Sequence, residues 1–385
     1  MLMSLTTAVV MGSHVHVSNS RCTSAPLSIK RRPLFPLSSR HSGPFRRRRV
    51  SIEPQRVARM KASITFPAFL PPQVEDIEEE AARSLAARLE RVSVTSSIGS
   101  SGQAVDLQVC VAPPPARAGL LPRPADAPAS SRPQVLCLHG FDSSCLEFRR
   151  LVPLLQDAGF DPWAVDILGW GFTEMPAEVS YAPEAKRRVL YDFWAKFVGE
   201  PVVLLGGSIG GGFAMDFAAE HPDAVQQLVL VDPQAFASLA PPPSSPPPMP
   251  APLGYMGAAL LKSLPLRWLA TYQVFNDKTE ANSDAIRVGR LHCLQEGWSA
   301  ALVCYMQCGG PILLQRAVMN NMARINKPTL LLWGENDGIL DKCNVEAVVS
   351  SIDDTELEYI PECGHQPHVE RPRAVVDAIV RWIQM

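Results

Sequence analysis

Ser208 lies in Gly206-Gly207-Ser208-Ile209-Gly210, directly after the apolar run Val202 to Leu205 and ahead of a helix-compatible segment from Phe213 to Glu220. Gly-x-Ser-x-Gly at a strand-to-helix junction suits a turn so sharp that its neighbours must lack side chains. Such a turn leaves the serine hydroxyl exposed at the carboxyl end of a sheet. The helix that follows begins with unpaired N–H groups, which favour negative charge developing beside the serine. A hydroxyl is a poor nucleophile until a base takes its proton, so the pentapeptide predicts chemistry only if a histidine and an acid accompany it. In isolation, an ordinary glycine-rich turn of a doubly wound protein reads the same way. A dinucleotide loop does not, because no G-x-G-x-x-G register fits these glycines.

Both partners follow later in the chain. The apolar run Pro328 to Gly334 ends in Glu335-Asn336-Asp337-Gly338, and Leu357 to Ile360 ends in Pro361-Glu362-Cys363-Gly364-His365. Each places a titratable side chain in a loop just beyond a predicted strand, where ligand sites of α/β sheets lie. Upstream, Val135-Leu136-Cys137-Leu138 runs into His139-Gly140-Phe141. The backbone N–H groups of Phe141 and Ile209 are the predicted oxyanion donors.

With its order Ser208, Asp337, His365, the chain resembles the α/β-hydrolases. The resemblance spans roughly residues 133 to 385. Asp166-Ile167-Leu168-Gly169-Trp170-Gly171 is similar to the family's D-x-x-G-x-G turn, and Gly364-His365 through Glu370-Arg371-Pro372 to its G-H-x-x-x-x-E-x-P ending. Within the family the chain most resembles plastid-targeted plant hydrolases, a group that includes relatives of enzymes removing phytol from chlorophylls. The resemblance implies a Ser208–His365–Asp337 triad, no cofactor and no metal.

Other side chains compete for these roles. Asp232, after the strand that follows the serine turn, is the alternative acid; Asp341 reads better as the start of a helix. His368 is the alternative base and would point elsewhere if a helix begins there. His139 reads as a brace for the oxyanion loop. Asp142, beside the second oxyanion donor, would repel an alkoxide unless it turns away or is paired, and it reads as a cap for a helix starting near Ser144.

Composition separates the chain into regions. The first 60 residues hold eleven Lys or Arg, including Arg46 to Arg49, and one acid, Glu53. Arg-rich, Ser-rich and acid-poor is the composition of an organelle transit peptide, here for chloroplasts (stroma or thylakoid-associated) with the mitochondrion as alternative. Without it, 36 − 11 = 25 bases face 38 − 1 = 37 acids, a net charge of −12, which argues against nucleic acid as partner. The nine cysteines show no pairing rhythm, and Cys304 and Cys308 lack the further ligands of a zinc site. The apolar stretch Leu253 to Tyr272 is interrupted by Lys262, Pro265 and Arg267, so no transmembrane segment is expected, though peripheral membrane contact is compatible.

The alternation of elements predicts a mostly parallel, doubly wound sheet with an inserted helical lid. Residues 61–132 form an N-terminal extension with an acidic helix (74–91) and a hairpin (92–111). The hydrolase core spans 133–234 and 327–385. Residues 235–326 supply a tether, with Pro241 to Pro248, Pro250 and Pro252, and then the helical lid. Arg287, Arg290, His292 and Trp298 are lid candidates for substrate contact, none of them singled out.

Three function classes fit. The leading one is a serine hydrolase cleaving a carboxylic ester (or thioester) of a lipophilic small molecule. The second is a carbon–carbon bond hydrolase or lyase on the same triad, with Arg287 or Arg290 assisting the departing carbon. The third is a small-ligand receptor without turnover. Neither the substrate nor the oligomeric state can be read from the sequence.

Overall fold

The computed structural model describes residues 64–383 except 100, 120, 125 and 236–248. The expected transit peptide and the proline run 241–248 lie outside the described residues. The elements run α1 (Glu80–Ala86), β1 (Glu90–Ser96), β2 (Val105–Ala112), β3 (Gln134–Leu138), α2 (Leu151–Asp157), β4 (Asp161–Val165), α3 (Pro183–Phe193), β5 (Val202–Gly207), α4 (Ile209–Glu220) and β6 (Val225–Val231). Lid helices follow: α5 (Ala251–Lys262), α6 (Leu264–Val274), α7 (Ser283–Leu291), α8 (Trp298–Gln307) and α9 (Gly310–Asn321). The chain returns to the sheet with β7 (Thr329–Gly334), α10 (Cys343–Ser351), β8 (Thr355–Ile360), α11 (Pro367–Glu370) and α12 (Pro372–Ile383).

The eight strands form one sheet in the order β1-β2-β4-β3-β5-β6-β7-β8. The β1–β2 hairpin is antiparallel, β2 meets β4 antiparallel through Val111 and Ala112, and every later pairing is parallel. The central strands β3, β5 and β7 are buried along their whole length because both faces are covered. Side chains along the parallel strands alternate between two cores. Leu136, Leu138, Leu204, Leu228 and Leu230 pack with α3 and α4, while Val135, Cys137, Val203, Leu205 and Val229 pack with α2 and α12.

Three expectations need correction. The acidic segment 74–91 is a short 3-10 turn (Pro72–Asp76), a break, and then the seven-residue α1. A lid carboxylate supplies the break: Asp284 accepts the backbone N–H groups of Glu78 (3.0 Å) and Glu79 (2.5 Å), as an N-cap would from within the chain. Glu79 is drawn away to Arg149 (2.7 Å) and Arg150 (2.6 Å), while Val74, Ile77, Leu85 and Leu89 pack into the core. The helix expected to start near Ser144 is likewise split into a 3-10 turn (Cys145–Phe148) and α2. Pro252 belongs to the first turn of α5 rather than to a tether, a position where its missing N–H costs nothing.

Candidate active site

Ser208 is the junction of β5 and α4, with φ 53° and ψ −125°, a backbone region non-glycine residues rarely occupy. The turn is fixed by backbone bonds: Ser208 N–H donates to Val231 O (3.0 Å), and Ser208 O accepts from Gly211 and Gln234 N–H (2.9 Å each). Close approach explains the flanking glycines. A Cβ on Gly206 would lie 2.5 Å from Gly210 O, and one on Gly210 would lie 2.3 Å from Leu138 O. Any side chain there would push the turn off the end of β3.

The structure brings Ser208, His365 and Asp337 together at the carboxyl ends of β5, β8 and β7. Ser208 Oγ is 2.9 Å from His365 Nε2, and His365 Nδ1 is 2.8 Å from Asp337 Oδ2. The second Asp337 oxygen accepts from the N–H groups of Ile339 (2.7 Å) and Leu340 (3.1 Å), so the carboxylate cannot swing. Burial alone would raise the Asp337 carboxyl, but its hydrogen bond to His365, the charge interaction with it and the two backbone donors hold it below the ordinary carboxylate range. It therefore stays ionised and fixes His365 with Nδ1 as donor and Nε2 as acceptor.

Asp232 lies beside this pair but does not take its place. It is completely buried at φ 43°, and its Oδ1 accepts Gly334 N–H at 2.9 Å. Burial first, and then the Asp337 charge, push its carboxyl well above the usual range. Two adjacent buried carboxylates cannot both ionise; Asp337, with the better donors, keeps the charge. Asp341 instead caps the next turn through Cys343 N–H (2.9 Å).

The expected oxyanion donors sit on either side of the serine. Ile209 is the first residue of α4, where an N–H has no intrahelical acceptor. Phe141 follows Gly140, whose α-carbon is so near the serine that a Cβ there would lie 3.5 Å from Ser208 Cβ. Neither N–H is engaged by another group among the described residues.

His139 and His368 both support this loop. His139 Nδ1 donates to Gly140 O (2.9 Å), and its Nε2 accepts from Ile167 N–H (3.1 Å). Burial lowers its pKa, keeping the neutral ring this arrangement requires. Since C=O and N–H of a trans peptide point in opposite directions, holding Gly140 O fixes where Phe141 N–H points. His368 bonds Glu147 Oε1 at 2.7 Å, and Glu147 Oε2 accepts Gly140 N–H at 3.1 Å.

Sequence reasoning gave no role to Glu147, Glu370 or Arg267. Glu370 gathers the N–H groups of Gly364 (2.8 Å), Asn276 (3.1 Å) and Asp277 (2.6 Å), tying the His365 loop to the end of α6. It was visible as the acid of the Gly-His ending, without a partner to give it meaning. Asp142 caps no helix and is paired instead: Ser144 begins the next turn without a side-chain cap, and the Asp142 carboxylate is held by Arg267, His292 and Trp298 of the lid. Arg287 pairs with Asp284 (3.0 Å) and Arg290 donates to Lys262 O (2.8 Å), so the lid candidates for substrate contact are engaged elsewhere. Cys145 and Cys363 are buried, and burial raises both thiols.

The family model for the alpha/beta hydrolase fold matches residues 133–372. The chain is 34% identical over 315 residues to the alpha/beta hydrolase domain-containing protein VTE7 of Arabidopsis thaliana, covering 82% of this chain and 89% of that one. Lipase 1 of Psychrobacter immobilis is 25% identical over 61% of this chain and 72% of its own length. Among solved structures, a serine hydrolase involved in carbazole degradation superposes with a TM-score of 0.57 at 18% identity, covering 77% of this chain and 99% of its own. Matched over β3 to β8 and the loops that carry Ser208, Asp337 and His365, the chain belongs to the alpha/beta hydrolase fold family and is a hydrolase.

Proposed function

We propose that the protein is a serine hydrolase that cleaves a carboxylic ester, or thioester, of a lipophilic small molecule through an acyl-enzyme on Ser208. The unbroken bond chain from Asp337 through His365 to Ser208 carries this reading. Ser208 Oγ attacks the carbonyl as His365 Nε2 takes its proton, and the oxyanion is received by the N–H groups of Phe141 and Ile209. His365 then protonates the leaving oxygen or sulfur. Water, deprotonated by the same nitrogen, releases the acid. The carbon–carbon cleavage reading is less well supported, because Arg287 and Arg290, its proposed helpers, are committed to other partners.

The lid supports a lipophilic substrate and a peripheral membrane contact. Tyr255, Met256 and Leu260 of α5 and Leu264, Trp268 and Leu269 of α6 are exposed, and the two helices contain no acid; Lys262 is half-buried and Arg267 turns inward to Asp142. An exposed apolar face free of acids suits the boundary of a bilayer. No helix among the described residues is long and apolar enough to cross a membrane.

With a p-nitrophenyl ester, the expected result is a burst of one nitrophenol per protein followed by slower turnover, faster when the ester is presented in lipid vesicles. Binding without any burst would replace this reading with that of a receptor.

We also read residues 1–60 as a chloroplast transit peptide, supported by their composition and by the plant relative. A fluorescent reporter fused behind residues 1–70 is expected in chloroplasts, with the mature protein starting within about ten residues of Met60 by the composition boundary. Signal confined to mitochondria, cytosol or nucleus would refute the assignment.

A further inference from the structure

Asp142 follows the expected oxyanion donor Phe141, and its environment is unusual in three respects. Its backbone is left-handed, at φ 47°. Its carboxylate is buried, with 4% exposure. Its three side-chain partners all come from the lid: Oδ1 accepts from His292 Nε2 (3.0 Å) and Trp298 Nε1 (2.8 Å), while Oδ2 meets the Arg267 guanidinium. Arg267 is itself threaded through the lid, donating to Leu261 O (2.7 Å) and Gly289 O (3.1 Å). Phe141 packs against the same lid cluster of Ala258, Cys293, Trp298 and Leu302.

We propose that Asp142 is a positioning residue through which seating of the lid completes the oxyanion hole. The inference rests on the reading of Ser208 as nucleophile and Phe141 N–H as donor. With the lid seated, three directional bonds hold Asp142 in its strained backbone conformation and so hold the adjoining Phe141 peptide. The same lid donors keep the carboxylate engaged and turned from the developing oxyanion. With the lid displaced, the strained residue can relax, and an unpaired carboxylate stands beside the developing alkoxide. Ester binding and lid closure are thereby coupled to the chemical step.

The charge states agree with this geometry. Burial opposes the Asp142 anion, but Arg267 and His292 outweigh it and bring its pKa to about 2. Burial also opposes the His292 cation, and Cys293 and Asp142 outweigh that, raising it to about 9. The groups facing Asp142 are Arg267, His292 and Cys293 of the lid, with neutral His139 behind them. Because the folded-state pKa of His292 is raised, its contribution is complete below its unfolded value and fades as pH rises through about 9.

The test uses Asp142→Asn, which keeps shape and the Trp298 bond but removes the charge, and Arg267→Gln from the lid side. Each variant is assayed for kcat and KM on a chromogenic ester and for affinity toward an aryl trifluoromethyl ketone, whose serine adduct carries the oxyanion. One oxyanion donor is typically worth roughly 10²–10³ in turnover. A misdirected donor should therefore lower kcat and ketone affinity together by about 10- to 100-fold, with KM held within about threefold. The wild-type kcat should also fall above about pH 9, an inflection that His292→Asn removes.

Unchanged kcat and ketone affinity in folded variants, with only a lower melting temperature, would reduce Asp142 to a lid fastener and overturn the inference. If Asp142→Asn does not fold, Arg267→Gln decides by the same readouts. A wild-type protein that neither hydrolyses the ester nor is labelled by a fluorophosphonate would instead refute the underlying hydrolase reading.

Discussion

Ser208→Ala should abolish ester hydrolysis and fluorophosphonate labelling while leaving the circular-dichroism spectrum and melting temperature essentially unchanged. The hydroxyl is a minor part of the packing around the turn, which is held by backbone bonds and by the glycines on either side. In the proposed reaction it is the only group of the residue that takes part. A loss of roughly 10⁴- to 10⁶-fold in kcat is expected, and His365→Ala should be nearly as severe because such groups fail as a unit. His368→Ala provides the contrast. Its ring bonds Glu147, which in turn holds Gly140 N–H, so its effect should be lost stability with a loss in kcat far smaller than that of His365→Ala and with fluorophosphonate labelling retained. Labelling that survives in Ser208→Ala would remove Ser208 as the nucleophile.

The second large effect concerns the acid. Asp337→Asn should cost about 10³- to 10⁴-fold in kcat with little change in KM, since an amide in that position favours the wrong histidine tautomer. Asp232→Asn should cost far less, because the residue it replaces is already held neutral by burial and by the Asp337 charge. The pair of variants separates two geometries that the chain order alone leaves open. A damaging Asp232→Asn together with an active Asp337→Asn would transfer the role to the strand after the serine turn.

The extent to which the sequence reveals this structure follows the range of the forces involved. Strands β3, β5 and β7 are legible because central parallel strands bury both faces and are apolar nearly throughout, whereas the edge strand β8, with Glu356 and Glu358, is legible by its alternation and by the loop that follows it. The Ser208 turn is legible because two backbones approach too closely for a Cβ, which leaves glycines at fixed spacing. Asp337 and His365 could be placed because each sits in a loop a few residues past such a strand.

What remained hidden was long-range polar pairing. Nothing local in Asp142 points to Arg267, 125 residues away, or in Glu147 to His368, 221 residues away. The acidic segment before β1 was misread for the same reason: its helix periodicity is real, but Asp284, some two hundred residues later, competes for its backbone N–H groups.

One contact has a consequence for recombination among relatives. His365 N–H donates to Val274 O at 2.8 Å, and a Cβ on Gly364 would lie 2.3 Å from that same oxygen. The last turn of α6 is thus part of the wall against which the histidine loop is moulded, with Glu370 bonding both from one side. The lid is therefore not a module that can be exchanged at its roots. A chimera joined at 235 and 326 would import a foreign residue 274 into the mould of a native loop. Segments 274–277 and 363–370 must be inherited together from one parent, or the graft will disturb the base while seeming to alter only substrate range.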